Sequence, residues 1–222
     1  MAFRHLKDII VMNVVLVAAI GHDSIIGIGD ELPWKSPEEM RLFKQITEDG
    51  IVIVGRNTYK AIGSLRSRLS VVISRSQATT KKVPYWDGNQ SPTASLILNP
   101  FDLDQPFTSN VKAADPAESA MKYIQQLAAK YKRSTVYVIG GAEIYKMFLP
   151  YYTGVVVSFM EASAPKSENN VYMPEEVMEY LRSIEVSRTS RLNSTPVNGH
   201  VVYSVEDYHC FPRFTQVKAT KV

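Results

Sequence analysis

An acid on the apolar side of a helix is the most chemically informative residue of this sequence. Read with a period of 3.6 from Ser36, the stretch SPEEMRLFKQI puts Glu39, Leu42, Phe43 and Ile46 on one stripe, the stripe that turns toward a core. A carboxylate there is costly to bury unless something polar meets it. Two readings follow. Ser36, Pro37 and Glu39 fit the N-cap, first and third helical positions, so S-x-x-E serves as a capping box with Glu39 turned back on the Ser36 backbone N–H. Alternatively, the acid meets a ligand and its apolar neighbours wall a pocket.

Three other constellations stand where apolar runs give way to helical patterns. They are Val54-Gly55-Arg56-Asn57-Thr58, Ile73-Ser74-Arg75-Ser76 and Ile139-Gly140-Gly141-Ala142-Glu143-Ile144-Tyr145. Helix starts offer unpaired N–H groups to anions, glycine permits close backbone approach, and guanidinium forks fit phosphate. Each junction alone is ordinary turn chemistry, and none fits G-x-G-x-x-G or the P-loop pattern. Together they imply a ligand with several phosphates, with Arg56 and Arg75 placed to read an adenosine 2′-phosphate; NADPH satisfies that description. A fourth segment, Ile25 to Trp34, carries Gly27 and Gly29 and then Leu32 and Trp34, which suits a mobile loop that closes apolar groups over a ring. Trp34 can equally staple the entrance of the following helix, and the two roles are compatible.

These residues need a scaffold, and the apolar runs supply it. NVVLVAAI (13–20), IVIV (51–54), LSVVIS (69–74), TVYVIG (135–140) and GVVVSFM (154–160) are continuous rather than alternating, which predicts strands covered on both faces. Helical patterns at 37–47, 57–62, 116–131 and 142–148 lie between them. The expected architecture is α/β, a single domain with a mainly parallel, eight-stranded central sheet flanked by helices. Two further strands, near 181–188 and 200–207, separated by the turn-rich RTSRLNSTPVNG, predict an antiparallel C-terminal edge hairpin. Residues 77–113, rich in Pro, Asn, Asp, Ser and Thr around SLIL (95–98), read as an irregular insertion with no assignable function.

Bulk properties narrow the class. At 222 residues and 45% hydrophobic content, the chain suits one well-buried core. Its 25 basic and 22 acidic residues are interspersed, so no nucleic-acid arm is expected; Lys81-Lys82 and Lys130 to Arg133 are short, solvated faces. One cysteine, Cys210, excludes an intrachain disulfide and a cysteine-based zinc site, and fits a reducing compartment. Arg4, His5 and Lys7 before an apolar run imitate a secretory signal, but Asp8, Asn13 and the β-branched Val11, Val14, Val15 and Val17 favour a buried strand. The run is too short to span a bilayer as a helix.

With these motifs in hand, the chain resembles the dihydrofolate reductases. The resemblance rests on Val17-Ala18-Ala19, Ile26-Gly27 through Leu32-Pro33-Trp34, Pro37-Glu38-Glu39 through Phe43-Lys44, Val54 to Thr58, Ile73-Ser74-Arg75, and Val138 to Gly141 through Tyr145, in the family's order over about two thirds of the chain. It implies NADPH-dependent reduction of 7,8-dihydrofolate to tetrahydrofolate, a place in one-carbon metabolism, sensitivity to antifolates such as methotrexate, and a monomeric cytoplasmic enzyme without membrane or nucleic-acid partners. By the same resemblance Glu39 binds the pterin ring through both oxygens, with Leu32 and Trp34 beside the chemistry. Val17, Ala18, Leu32, Phe43, Ile62, Leu65 and Ile139 form the apolar pocket, with Ser158 near the carboxylate. NADPH lies along Ala19, Ile26, Gly27, Gly29 and Leu32, then Gly55 to Thr58, Ser74, Arg75 and Ser76, and Ile139 to Tyr145. The resemblance also implies a cis peptide between the paired glycines, Gly140 and Gly141.

Departures from the family pattern are equally specific. A Pro-Leu-Pro-like run before the arginine that takes the substrate's glutamate tail is shortened here to Ser64-Leu65-Arg66-Ser67-Arg68. Arg68 aligns best, with Arg66 the alternative. Ser158 replaces a common threonine, and Asn170-Val171 stands where some members carry Asp-Thr. The N-terminal extension 1–12 and the 77–113 insertion have no counterpart in the shortest members. Two other functions fit the same residues: a pyrimidine reductase of the superfamily, and a folate- or NADPH-binding or structural protein without catalysis.

Overall fold

The computed structural model describes residues 12–86, 92–103, 115–160 and 166–183, and the backbone of 190–191, 202–204 and 217–218. Its elements follow in chain order: β1 (Asn13–Ile20), β2 (Ile25–Ile28), α1 (Pro37–Thr47), β3 (Ile51–Gly55), α2 (Arg56–Ile62), β4 (Leu69–Ile73), β5 (Ala94–Leu98), α3 (Pro116–Lys130), β6 (Thr135–Val138), α4 (Ala142–Met147), β7 (Gly154–Met160), β8 (Asn170–Tyr172), α5 (Glu175–Ser183), β9 (Ser190–Arg191), β10 (Val202–Ser204) and β11 (Val217–Lys218).

The runs of Val and Ile form the central strands because both of their faces are covered. Ile51, Val52, Ile53 and Val54 of β3 are all fully buried. Along β1 the strand period divides the core: Val14, Leu16, Ala18 and Ile20 join one apolar cluster, Val15 and Val17 the other. Ala120, Met121, Ile124, Leu127 and Ala128 of α3 cover the first face, and Leu42 and Ile46 of α1 cover the second. Both helices start on proline behind a capping side chain: the Glu39 N–H donates to Ser36 Oγ, and the Ala117 N–H to Asp115 Oδ1.

The strand order is β5-β4-β3-β6-β1-β7-β10-β9, with β11 also on β7. Strands β5 through β7 in this order are mutually parallel, while β10 runs antiparallel to β7 and to β9. The crossover from β1 leads toward β3, and the one from β6 leads past β1 to β7. Helix α1, which follows β1, packs in one apolar cluster and α4, which follows β6, in the other, so the two connections leave by opposite faces of the sheet, the arrangement that places a ligand crevice beyond the carboxyl ends of β1 and β6.

Several expectations are corrected. Among the described residues the sheet comprises nine strands, β11 adding to β7 beside β10, so the count of eight is not reproduced. The SLIL piece is not irregular: β5 pairs in parallel with β4, with Leu96 and Leu98 buried. A strand beginning at 181 is excluded, since 181–183 close helix α5, whose Val177, Met178 and Leu181 are buried at helical spacing. The edge hairpin exists but is formed by β9 and β10. Residues 184–188, most of the 200–207 candidate, residues 1–11 and the parts 87–91 and 104–113 of the insertion lie outside the described residues. The glycine segment expected as a loop forms β2, which pairs antiparallel with β8 in a separate two-stranded sheet.

Candidate active site

Helix α1 carries the acid to the crevice. Glu39, Leu42 and Ile46 are buried and Phe43 is partly buried, so the stripe read at period 3.6 is the packed one. Only half of the capping box forms. Ser36 Oγ takes the Glu39 N–H at 3.2 Å, but the Glu39 carboxylate makes no hydrogen bond with any described residue. Burial without a partner pushes its pKa from 4.5 to about 7.

Beside it, Tyr145 is buried and its hydroxyl donates to the Val17 carbonyl at 2.9 Å. Burial first, and then the Glu39 charge, hold the phenol well above its ordinary pKa. Val17 and Ile139 share an apolar cluster with Leu42, against which Phe43 and Leu65 pack. Leu32, Met40 and Ile62 are large apolar side chains left exposed. Ala18 points into the opposite cluster. Ala19 and Ser158 occupy one row across β1 and β7, Ser158 being buried. Trp34 packs with Ile25 and Met160, and its buried indole N–H has no partner among the described residues.

The glycine pair closes the other side. A cis peptide joins Gly140 and Gly141, and the Gly55 N–H donates to the Gly140 carbonyl at 2.7 Å. A Cβ on Gly55 would lie 2.9 Å from Ile144 Cγ1, and one on Gly141 2.9 Å from Thr58 Oγ1, so two of the three predicted junctions touch through glycine. Arg56 leaves Nη1 buried and without a partner among the described residues, while Asn57 and Glu143 are exposed and Ala142 is partly so. The third junction has Ser74 buried, with Arg75 and Ser76 exposed beyond it. Ile26 is partly buried and Gly27 buried on β2, while Gly29 follows at φ +57° in an exposed turn.

Of the two candidate arginines, Arg66 is exposed and Arg68 buried. Arg68 donates from Nε to Thr47 Oγ1 at 2.9 Å, from Nη1 to the Arg66 carbonyl at 2.6 Å and from Nη2 to the Lys44 carbonyl at 2.8 Å. Desolvation lowers its pKa, against the pull of Glu48 and Asp49. Its guanidinium lies over the Phe43 ring at 5.9 Å. Sequence reasoning passed over Thr47 and Met40. Thr47 left no signal beyond a buried hydroxyl at the end of the helix, whereas Met40 is betrayed by a large apolar side chain on an exposed face.

The chain has clear relatives. The family model for dihydrofolate reductase matches residues 13–95. Dihydrofolate reductase HdrB of Haloferax volcanii is 31% identical over 161 residues, covering 72% of this chain and 70% of that protein. Dihydrofolate reductase type A13 of Escherichia coli is 27% identical over 194 residues, covering 87% and 94%. A solved dihydrofolate reductase from Enterococcus faecalis, complexed with NADP(H) and RAB-propyl, shares the fold at a TM-score of 0.51 and 16% identity, over 86% of this chain and 92% of that one. With the sheet order and the acid-lined crevice, these likenesses define the class of protein, an α/β reductase. The chain belongs to the dihydrofolate reductase family.

Two consequences of this geometry are measurable without substrate. Gly140 sits at φ +103°, and a Cβ there would meet the Tyr145 ring at 2.8 Å. Because Tyr145 is anchored to Val17, the ring has little room to yield. Gly140→Ala is expected to cost about 3 kcal/mol in unfolding free energy, read by urea titration. The second concerns pH. Between pH 4.5 and about 7 folded Glu39 holds a proton that the unfolded chain has released, so stability falls as pH rises through that window. The loss amounts to about 3 kcal/mol and is absent from Glu39→Gln. Equal pH dependence of unfolding in both proteins would show that Glu39 does not titrate in this way.

Proposed function

We propose that the protein catalyses NADPH-dependent reduction of 7,8-dihydrofolate to 5,6,7,8-tetrahydrofolate. The observation that carries this reading is the buried Glu39 carboxylate, without a hydrogen-bond partner among the described residues, on the helix that packs into the apolar cluster of Val17, Leu42 and Ile139. A pterin edge presenting two N–H donors would supply the missing hydrogen bonds. NADPH, when bound, supplies the hydride for pterin C6. Glu39 anchors the ring and, with its raised pKa, favours protonation at N5 through a water admitted past the 26–32 segment. The unpaired indole N–H of Trp34 gives that water a donor.

Helix α1 sets the length of the substrate site. Glu39 and Thr47 lie eight residues apart, about 12 Å along the axis, with Phe43 between them. The pterin is thus assigned to Glu39, the central ring to Phe43, Leu65, Ile62 and Met40, and the glutamate tail to Arg68, which Thr47 holds. For the cofactor, Arg56, whose Nη1 has no partner among the described residues, and the exposed Arg75 fit phosphates, and Gly140–Gly141 at the start of α4 is assigned to the pyrophosphate. The chain is read as one folding unit acting as a monomer in the cytoplasm, in one-carbon metabolism, and as a target of antifolates such as methotrexate. Among the described residues no helix is long and apolar enough to cross a membrane.

The test is the fall in NADPH absorbance on adding dihydrofolate to purified protein, with NADH in parallel and methotrexate as inhibitor. Rapid, methotrexate-sensitive oxidation that prefers NADPH is expected. Tight folate binding without turnover would make this a binding protein on the same fold.

A further inference from the structure

The turn that presents Arg75 is held in place by the segment that sequence reading left without a role. Arg75 is exposed, and its guanidinium makes no hydrogen bond or ion pair among the described residues. Its backbone, by contrast, is bound into the end of β5 and the turn that follows. The Ser74 N–H donates to the Leu98 carbonyl at 3.0 Å, and Asn99 Nδ2 to the Arg75 carbonyl at 3.5 Å. The Thr79 N–H donates to Asp102 Oδ2 at 2.9 Å and the Thr79 hydroxyl to Asp102 Oδ1, while Thr79 Oγ1 accepts the Asn99 N–H at 2.9 Å. Thr80 adds a reciprocal pair with Ile97, its N–H to the Ile97 carbonyl and its Oγ1 to the Ile97 N–H, each at 2.9 Å. Asn99 closes the network by accepting the Phe101 N–H on Oδ1.

We propose that Thr79 and Asn99, backed by Asp102, are positioning residues that fix the Ser74–Ser76 turn and thereby set the preference for a 2′-phosphorylated nucleotide. The inference rests on the proposed role of Arg75 at the 2′-phosphate. A guanidinium on a free turn must give up backbone as well as side-chain entropy when it captures a phosphate. Here the Ser74 N–H is tied to Leu98 and the Arg75 carbonyl to the Asn99 amide, while Thr79 and Asp102 hold the Asn99 turn in place, so less of the backbone and chiefly the Arg75 side chain remains to be ordered. The benefit falls on ligands that carry the 2′-phosphate and on no others. Thr79 and Asn99 touch no residue assigned to pterin binding or to hydride transfer, so the rate constant of the chemical step has no reason to change.

The experiment compares kcat and KM for NADPH and NADH in the parent enzyme, Arg75→Ala, Thr79→Val, Asn99→Ala and Thr79→Ser. Calorimetric binding of adenosine 2′,5′-bisphosphate and adenosine 5′-monophosphate is measured beside them. Thr79→Val and Asn99→Ala are each expected to raise KM for NADPH about fivefold to tenfold, leaving KM for NADH and both kcat values within about twofold. Binding of the bisphosphate weakens in step, and that of the monophosphate does not. Thr79→Ser, which keeps the hydroxyl, retains the parent preference. A loss shared equally by both nucleotides, or an unchanged preference in both variants while Arg75→Ala abolishes it, overturns the positioning role alone. If the parent enzyme shows no preference, or Arg75→Ala leaves it intact, the assignment of Arg75 fails and this inference fails with it.

Discussion

Glu39→Ala is expected to lower kcat/KM for dihydrofolate by about a thousandfold at neutral pH, with NADPH binding changed by less than about twofold. Two losses combine. The ring loses a carboxylate that takes two of its N–H donors in a dry site, and N5 loses the group that favours its protonation. The pH profile separates them. In the parent protein the carboxyl, raised to about 7 by burial, makes kcat/KM fall as pH rises through neutrality. In Glu39→Gln the side chain keeps its shape and one acceptor but cannot titrate, so the inflection near 7 disappears and the residual rate follows solvent acidity alone. Near-normal turnover by Glu39→Ala would remove the acid from the mechanism and leave the crevice a binding site.

The legible parts of this molecule are those where one local signal had one physical cause. Helix α1 was readable to the residue because Ser36, Pro37 and the Glu39-Leu42-Ile46 stripe agree on its start and its buried face. The continuous apolar runs were readable because strands covered on both faces, as β1, β3, β4 and β7 are, have no polar face to confuse the period, and β6, half-buried at alternate residues, still reads as apolar through Val136, Tyr137 and Val138. Strand β5 escaped because its five residues alternate in burial at the sheet edge and sit amid turn residues, so composition outweighed pattern. Helix α5 escaped because a nine-residue amphipathic stretch, with only Val177, Met178 and Leu181 buried, shares its apolar residues with a strand reading.

At the site, residue types were legible and pairings were not. The sequence offered both readings of Glu39, and its geometry supports part of each: Ser36 caps the helix through the Glu39 backbone, while the Glu39 side chain has no hydrogen-bond partner among the described residues. Nothing in the spacing indicated that Tyr145, more than a hundred positions from Val17, would tie its hydroxyl to that carbonyl. Nor did it indicate that Gly141 and Thr58 would meet, since such contacts are decided by strand order.

The choice between Arg66 and Arg68 also turns on pairing, and it yields the second large effect. Arg68→Ala is expected to raise KM for dihydrofolate about a hundredfold, whereas Arg66→Ala leaves it within about twofold. A guanidinium has five N–H donors, and three of those on Arg68 are taken by Thr47, Lys44 and Arg66. One N–H on each terminal nitrogen stays available, which is what a carboxylate needs for a two-pronged contact. Burial removes competing water and lowers the pKa of the group, so an incoming carboxylate would restore what desolvation took away. Among the described residues Arg66 contributes its backbone carbonyl, and alanine supplies the same carbonyl. Because Arg68 also ties α1 to the strand behind it, truncation weakens the fold, and KM alone would not distinguish the two effects. A pterin substrate lacking the glutamate tail does so: if Arg68 binds the tail, Arg68→Ala handles that substrate as the parent enzyme does. A hundredfold penalty on the tailless substrate as well would mean that Arg68 shapes the pocket rather than binding the tail.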